Sequence, residues 1–539
     1  MKRLLFFVFI LSGITSNSFS QTIDTAYIPI WTEMMDNPNA KLAEVQKAFE
    51  MYFEGRERQP GDGWKVFKRW ENQWKDQLNE DGTLKDMAAE AEKYEQWLIQ
   101  YNQTKDDGIE SATGNWEEIG PITQPQNGTG QPNGNGRLNA ICFHPTNPNK
   151  FWVGAPAGGM WATSDGGTTW TSNTDNLSSL GVSAILIDPN DTNVMYMGTG
   201  DRDAGDAPGR GVYKSTDGGN TWIQSNTGMG NREVGHMIMH PSNSSYILAA
   251  TSGGIYRTQN AGATWTLESL SQFFKDIKFN PDNPNIVYAT ETSGQAGFYR
   301  SANAGNTWTL ITSGLPATSQ RYSIGVSEAD PDVVYLVRSI GSAYGGLYKS
   351  TNAGVSFTTQ STTPNILSWS EFPPQTGGGG QGWYDLAIEV DPNNADIVYV
   401  GGVNIFKSTN SGVNWDCAAH WVGSATAAAV HADHHWFAYN PADGRLYSAN
   451  DGGLHYTANG GNTWTELSSG LGIAQIYKIG MSKTTYAKVL NGYQDNGTAL
   501  WDGNIFRTER GGDGMESVID HTNDNIMYAS VYYGNIARS

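Results

Sequence analysis

The octapeptide STDGGNTW, residues 215–222, is one of seven related copies, and this repeat decides the fold of the chain. The copies read TSDGGTTW (163–170), STDGGNTW (215–222), TQNAGATW (258–265), SANAGNTW (301–308), STNAGVSF (350–357), STNSGVNW (408–415) and TANGGNTW (457–464). Their final aromatic residues are 43 to 58 positions apart. A repeat of that length is typical of the blades of a β-propeller.

The residue types of the repeat suit an architectural function. Asp or Asn at the third position can accept hydrogen bonds from backbone N–H groups of a turn. Gly at the fifth position permits a positive φ without a Cβ penalty. The Trp begins the next strand and fills space between neighbouring blades. A catalytic function would not need seven copies, so the motif is interpreted as structural.

Each copy follows the same order of elements. An apolar strand such as VSAILI (182–187) leads through a turn to a second strand, VMYMG (194–198), and a third, GVYKS (211–215). An eighth unit without the repeat runs from 475 to 509, and a ninth begins at 515 and stops near 539. We therefore expect an all-β chain, a propeller of four-stranded blades with seven or more blades, up to ten, incomplete at its C-terminus. One large ring and two separate propellers both fit this count.

Composition and charge restrict the partners. The formal net charge is −20, which disfavours nucleic acid and anionic membranes as binding partners. Lys2 and Arg3 precede a short apolar run, so residues 1–20 are interpreted as a signal peptide that is removed on export. No other stretch is apolar enough for a membrane helix. The chain is therefore expected to be secreted or held at the cell surface, without membrane insertion.

The N-terminal region differs from the repeats. Helical spacing relates Leu42, Val45, Phe49 and Phe53, and again Met87, Ala91, Tyr94, Leu98 and Tyr101. The stretch GWKVFKRWENQW (63–74) lies between these two helices. This pattern predicts a helical subdomain over 22–105, a polar linker over 106–115 and the propeller over 116–539.

Only two cysteines, Cys142 and Cys417, occur in the chain. The chain is therefore not a disulfide scaffold. One bridge between distant repeats and two unpaired buried thiols are both compatible with the sequence.

The repeats resemble the Asp-box, or BNR, repeats of sialidase-like propellers, over residues 116–539. Sialidases, xyloglucanases and the ten-bladed sortilin/Vps10 receptors carry such repeats, so the resemblance implies the fold more than the function. The stretches at 380–402, 430–453 and 492–498 look more narrowly like exported proteins of Bacteroidetes described as sortilin-like or as BNR-repeat glycosyl hydrolases. Those proteins often end in a type IX secretion sorting domain, which is not found in this sequence.

A propeller presents its functional groups on the face formed by the loops between the second and third strands and between blades. The longest such stretch, 358–383, carries Trp369, Phe372 and Trp383, and Tyr384 and Asp385 follow directly. Aromatic side chains on a long loop suit stacking against sugar rings or holding a peptide. The alternative is that they only pack the loop onto the propeller.

In VHADHHWF (430–437), His431, Asp433 and His435 alternate, so a strand would direct all three to one side. A ligand-binding group and a buried hydrogen-bonding network are both compatible with this pattern. No cysteine or second cluster accompanies it, and we expect neither a bound metal nor a cofactor.

Several aspartates lie in turns, where they commonly form Asx turns. They are Asp201, Asp203, Asp206, Asp451, Asp495 and Asp513. Asp495, in the turn QDNG, is also a candidate for ligand binding.

Two hypotheses for function remain. A xyloglucanase-like hydrolase needs two carboxylates facing one cleft. The resemblance implies Asp385 as one of them, and Asp451, in a neighbouring blade, is the candidate for the other. The arginine cluster and opening motif of sialidases are not found. The first choice is a binding propeller that takes a polysaccharide or a basic peptide through its channel face, with glycoside hydrolysis of β-glucan or xyloglucan as the alternative.

Overall fold

The computed structural model describes residues 30–35, 37, 39–58, 62–104, 118–130, 132–292, 297–317 and 319–539. The expected signal peptide and the linker at 106–115 lie outside the described residues. No helix in these ranges is long and apolar enough to cross a membrane.

Four α-helices form the N-terminal subdomain. They are α1 (Ile30–Met35), α2 (Leu42–Phe53), α3 (Trp64–Trp74) and α4 (Met87–Thr104). Their core is aromatic, with Phe49 stacked on Phe67 at 3.7 Å between ring centroids and Trp31 packed edge-on against both. The stretch at 63–74, which the sequence placed only between two helices, is thus itself a helix that belongs to this core.

Helix α4 differs from the expected amphipathic pattern. Ala88 is buried, but Tyr94, a member of the predicted apolar face, is 54% exposed. Trp97 is also exposed and stacks on Tyr94. The side chain of Tyr94 therefore does not belong to a buried face of α4.

Seven sheets, blades 1 to 7, are each built from consecutive strands, which pair antiparallel except for the last strand of blade 6. Their strands are Ala140–Phe143, Phe151–Ala155, Gly159–Thr163 and Thr171–Ser172 in blade 1; Val182–Ile187, Met195–Thr199, Val212–Ser215 and Ile223–Gln224 in blade 2; Val234–His240, Asn243–Thr251, Gly254–Thr258 and Thr266–Leu267 in blade 3; Phe274–Phe279, Val287–Glu291, Phe298–Ser301 and Thr309–Ile311 in blade 4; Arg321–Val326, Val334–Ile340, Ala343–Ser350 and Thr358–Ser361 in blade 5; Ala387–Val390, Val398–Gly401, Ile405–Ser408, Asp416–His420 and Ala428–Ala429 in blade 6; and His434–Tyr439, Leu446–Asn450, Gly453–Thr457 and Thr465–Glu466 in blade 7.

These seven blades close into one ring. The first strand of each blade contacts the first strand of the next, and that of blade 7 contacts that of blade 1. Leu138 and Phe151 of the first blade share a buried cluster with Tyr447 and Leu454 of the seventh. Backbone N–H groups of Asn135 and Leu138 also donate to carbonyl groups of blade 7. The ring is therefore complete with seven blades.

Two further sheets lie outside the ring. The first, blade 8, comprises Ile476–Met481, Val489–Tyr493, Gly497–Trp501 and Phe506–Arg510, and Gln126–Asn127 adds to it in parallel. The second comprises Ser517–Ile519, Met527–Val531 and Asn535–Arg538, with a 3-10 turn at Tyr532–Gly534. Of the two arrangements left open by the sequence, a single ring of ten blades is thus excluded.

The seven repeats have the geometry expected of them. In the second copy, Asp217 accepts hydrogen bonds from the backbone N–H of Thr221 at 2.9 Å and from the hydroxyl of Ser215 at 2.7 Å. The corresponding Asn260 accepts the backbone N–H of Thr264 in the same way. The fifth-position glycines all have positive φ, such as 88° at Gly219. Each repeat therefore fixes the turn between the third and fourth strands of its blade.

Both cysteines are free thiols. Burial raises the pKa of each, Cys142 and Cys417, to about 12.

Candidate functional site

A network of charged side chains, most of them buried, lies on the face formed by the loops between second and third strands and between blades, where functional groups were expected. Buried charges are costly unless they are paired and hydrogen-bonded, so the pairing of each group decides what the site can do. The acidic members are Asp201, Asp203, Asp206, Asp385, Asp433, Asp451, Asp495 and Asp513, and the basic members are Lys65, Arg69, Arg137, Arg202, Arg321 and His435.

Arg202 joins several blades. Its guanidinium donates to backbone carbonyl groups of Asn139, Gly235 and His435, at 3.3, 3.2 and 2.9 Å. Gly235 and His435 belong to the first strands of blades 3 and 7, and Asn139 directly precedes the first strand of blade 1. One side chain thus ties three blades together.

Asp203 has three basic partners. It pairs with Arg202 at 3.2 Å, Arg321 at 2.8 Å and His435 Nδ1 at 3.1 Å. Burial opposes its ionisation, but these three groups outweigh burial and hold the pKa of Asp203 well below its usual range. Asp203 is therefore a permanent anion at the centre of the site.

Tyr384 and Asp451 form the next layer. The Tyr384 hydroxyl accepts a hydrogen bond from Arg137 and donates one to Asp451 Oδ2, both at 2.9 Å. His435 Nε2 lies 2.8 Å from Asp451 Oδ1. Burial alone would lower the pKa of His435, but Asp451 and Asp203 on its two sides raise it, so the ring is held as a cation that donates to both.

Arg137 also pairs with two aspartates at the edge of this layer. Its guanidinium pairs with Asp201 at 2.5 Å and with Asp206 at 3.1 Å. Asn139 adds a hydrogen bond to Asp201 at 3.0 Å. Asp201 and Asp203, predicted as turn-forming residues, thus serve as buried counter-ions.

Asp385 and Asp433 are held without a basic partner. Asp385 is fully buried, and neither of its carboxyl oxygens receives a hydrogen bond from a donor group. Burial and the neighbouring Asp433 raise the pKa of Asp385 well above its usual range. Burial, together with Asp451 and Asp495, raises the pKa of Asp433 to about 7, while Gln381 donates to it at 2.9 Å.

Asp495 and Asp513 come from blade 8 and face the ring. Arg69 lies 3.0 Å from Asp495 and 2.7 Å from Asp513, and Lys65 lies 2.7 Å from Asp513. Burial disfavours the charged form of Asp495, but Arg69 and Lys65 lower its pKa below the usual value. Both cations stand on α3, one helical turn apart.

The N-terminal helices cover this face. On α3, Gln73 donates to the backbone carbonyl of Asp206 at 3.1 Å. Arg210 of the ring donates to the carbonyl of Ala88 and pairs with Glu95 at 2.7 Å, both on α4. The acidic face is therefore occupied by a segment of the same chain.

The aromatic residues of the long loop are less exposed than the sequence analysis expected. Phe372 is 77% exposed, but Trp369 and Trp383 are half-buried and Tyr384 is buried. Trp383 packs on Tyr384 at 5.5 Å, and Trp369 lies edge-on to Trp421. Trp369, Trp383 and Tyr384 thus pack the loop onto the propeller, and Phe372 alone of the four is fully presented to solvent.

The stretch 431–435 does not form one strand. The strand begins at His434, Asp433 has a φ of 66°, and the register shifts between His434 and Trp436. Asp433 and His435 reach the network, whereas His431 contacts the backbone carbonyl of Ala432. The expected alternation of three side chains to one side was wrong because a left-handed residue and a bulge interrupt it.

A second polar group lies deeper in the channel. His236 contacts Asp276 at 3.1 Å and packs against Trp436, over which Lys278 lies at 5.0 Å. Burial lowers the pKa of His236 to about 4, although Asp276 opposes this. Burial likewise raises the pKa of Glu389, beside Lys278, to about 7.

Sequence patterns identify the carboxylates of the network but not the basic side chains that pair with them. Arg137, Arg202 and Arg321 each lie at the start of a blade or in a loop of the same face, and no spacing links them in sequence. A signal did exist in GDRDAGDAPGRG (200–211), where arginines alternate with aspartates on an otherwise weakly charged chain. Lys65 and Arg69, four residues apart on α3, were hidden because 63–74 was not recognised as a helix.

The chain is similar in sequence to proteins of known families. Residues 210–313 match the family described as "Sortilin, neurotensin receptor 3". A stretch of 106 residues is 29% identical to a probable oligoxyloglucan-reducing end-specific xyloglucanase of Neosartorya fischeri, covering 19% of this chain and 12% of that protein. The resemblance to sortilin-like propellers stated from sequence is thereby confirmed.

Two solved structures share the architecture. The GH74 xyloglucanase from Xanthomonas campestris superposes with a TM-score of 0.57 at 17% identity, covering 76% of this chain and 65% of that one. The Niastella koreensis GH74 enzyme gives a TM-score of 0.52 at 17% identity, covering 75% and 66%. The chain thus spans about two thirds of the length of these structures, and at this identity the likeness concerns the fold.

Proposed function

We propose that this chain is an exported binding protein whose acidic propeller face takes a cationic ligand, a peptide segment bearing lysine or arginine. The observation that carries the proposal is the contact surface on which α3 lies, here called the seat of α3. Lys65 and Arg69 lie on this face with their charged ends at 2.7 Å from Asp513. A basic helix of the chain itself therefore displays the complementarity that a ligand of this class requires.

The electrostatics support a cationic ligand over a neutral one. The formal net charge of −20 attracts basic segments at long range. At short range, Asp513 is completely buried, so its attraction to a cation is screened little by salt. A sugar would leave these carboxylates without a counter-charge.

The proposal implies that a ligand competes with α3. The helix is joined to the face by side chains, chiefly Lys65, Arg69 and Gln73, and its own core lies within the helical subdomain. An incoming basic peptide would replace those contacts one for one.

The test is binding of a labelled peptide of residues 63–75, measured by fluorescence anisotropy. The face is freed by the double variant Lys65→Ala/Arg69→Ala. We expect this variant to bind the peptide and the native protein to bind it at least about tenfold more weakly, because α3 competes. A peptide with both positions changed to Glu serves as the matched control.

The variant Asp495→Asn/Asp513→Asn, built on the freed background, should lose the peptide. Equal binding of the basic and the Glu-substituted peptide, or no binding to a freed and folded variant, contradicts the proposal.

Glycoside hydrolysis is the second candidate. It is supported by the raised pKa of the Asp385 carboxyl, which burial and Asp433 keep in the protonated form that a general acid requires. Against it, Asp385 is completely buried, so its carboxyl group does not face an open cleft that could take a glycan. Release of reducing ends from xyloglucan by the freed variant, abolished by Asp385→Asn, would favour hydrolysis over binding.

A further inference from the structure

Three carboxylates from separate segments converge beneath α3. Asp433 precedes the first strand of blade 7, Asp451 lies in a turn of the same blade, and Asp495 lies in a turn of blade 8. One carboxylate oxygen of each lies within 4.8 Å of those of the other two. Like charges at this separation repel when they are buried. His435 compensates Asp451 and Arg69 compensates Asp495, whereas Asp433 has no basic partner among the described residues.

Asp385 adds a fourth carboxyl group, whose oxygen atoms accept no hydrogen bond. It is 0% exposed, and both of its oxygens lack a donor. It lies against Asp433 in the carboxyl cluster. Two ionised carboxylates in contact have no donor between them, so the pair needs a proton or a cation. Oδ2 of Asp495 is likewise buried and without a donor.

The charge balance of the network also indicates that a positive charge is needed near these carboxylates. Among the described residues, its eight carboxyl groups face the five basic side chains Lys65, Arg69, Arg137, Arg202 and Arg321. His435 between two aspartates is the sixth positive group when it is protonated. Two negative charges remain, and Asp385 and Asp433 are the members without a basic partner.

From this geometry we infer that Asp385, Asp433, Asp451 and Asp495 form a binding site for one divalent cation. The donor set consists of oxygen atoms only, which suits hard cations and excludes the nitrogen and sulfur sites of zinc. Calcium fits best because it accepts six to eight oxygen ligands and bidentate carboxylates. The cation would join the ring to blade 8, since Asp495 belongs to blade 8.

This site is distinct from the seat of α3. Lys65 and Arg69 bind Oδ1 of Asp495 and both oxygens of Asp513, whereas the cation would use Oδ2 of Asp495 and the ring carboxylates. Calcium binding and peptide binding can therefore fail or succeed separately.

The experiment uses the full chain, freed of metal with EDTA and exchanged into chelator-free buffer. Calcium is titrated by calorimetry, and terbium by luminescence sensitised through Trp383 and Tyr384, which adjoin the cluster. We expect one ion per chain by both methods, with calcium displacing terbium. The native protein should also gain thermal stability on adding calcium, because the ion binds the folded state.

Near-isosteric variants test the ligands. Asp385→Asn and Asp433→Asn should each weaken binding by at least about tenfold. Asp217→Asn, at a half-buried aspartate of the repeat outside the cluster, and Asp513→Asn should leave the ion bound. No saturable binding to the native chain, no calcium-dependent change in its thermal stability, or equal binding by Asp433→Asn and Asp217→Asn overturns the inference in favour of shared protons.

Discussion

Arg69 on α3 donates a hydrogen bond of 2.7 Å from Nη2 to Oδ1 of Asp513, a residue 444 positions further along the chain. This contact joins the helical subdomain to blade 8 across the end of the channel. The N-terminal and C-terminal parts of the chain therefore build the covered site together with the ring.

Removing that arginine should destabilise the protein. Arg69→Ala leaves Asp513, completely buried, with only one of its two counter-ions, and loss of one partner of a buried pair costs about 3 kcal/mol. We expect a lower free energy of unfolding and faster amide hydrogen exchange over Trp64–Trp74. Lys93→Ala is the control because its pair with Glu90 is exposed, and it should change stability by less than about 1 kcal/mol. Equal effects of the two changes would show that α3 is not held by this pair.

The fifth-position glycine of the repeat should be intolerant of a side chain. At Gly305, φ is 90° and an added Cβ would lie 2.8 Å from Cδ1 of the buried Leu248. At Gly444, φ is 73° but the space around the position is open. Gly444→Ala should cost about 1 kcal/mol for the left-handed backbone, and Gly305→Ala about 1–3 kcal/mol more for the clash. Thermal denaturation of both variants separates the two contributions, and similar melting temperatures would refute the steric part.

Glu389 should make stability depend on pH. Its pKa is raised by burial to about 7, so the folded protein retains a proton that the unfolded chain releases. Stability from this group is therefore fully present below about pH 4.5 and is lost as the pH rises towards about pH 7. Glu389→Gln should remove that decline and stabilise the protein above neutral pH, on the order of 1 kcal/mol.

Melting temperatures of the native protein and of Glu389→Gln, measured across that pH range, provide the comparison. Glu328→Gln, at an exposed position, is the matched control. If the native protein and Glu389→Gln lose stability in parallel as the pH rises, another group is responsible.

Two aromatic residues of the long loop should differ in their effect on stability, because one is exposed and the other is packed. Phe372→Ala should leave stability within about 0.5 kcal/mol because the ring is 77% exposed. Trp383→Ala should destabilise, since this half-buried ring packs on Tyr384 at 5.5 Å. Retardation on a xyloglucan affinity gel tells whether Phe372 contacts glycans. Retardation of the native protein that Phe372→Ala abolishes would revive the carbohydrate hypothesis.

The repeat and the four-strand blades could be predicted from sequence because their determinants are local. Asp217 and Gly219 act within one turn, so residue type and spacing suffice to identify them. The number of blades in the ring could not be predicted in this way. It depends on whether Leu138 packs against Tyr447, a contact between residues far apart that many similar apolar strands could make.

The candidate site shows the same division. Asp385, Asp433, Asp451 and Asp495 were found because aspartate in a loop of the channel face is visible in the sequence. The basic side chains that pair with the aspartates of the network could not be found in this way, since they come from the helical subdomain and from other blades. His431 was grouped with Asp433 and His435 because alternation was assumed where the backbone at Asp433 turns left-handed.

Each blade of the ring is an unbroken run of chain, and no strand is exchanged where blade 7 meets blade 1. The ring therefore has a seam that is held by side-chain packing and a few backbone hydrogen bonds, without a strand clasp. Such a ring can be circularly permuted at any connection between blades without dividing a sheet.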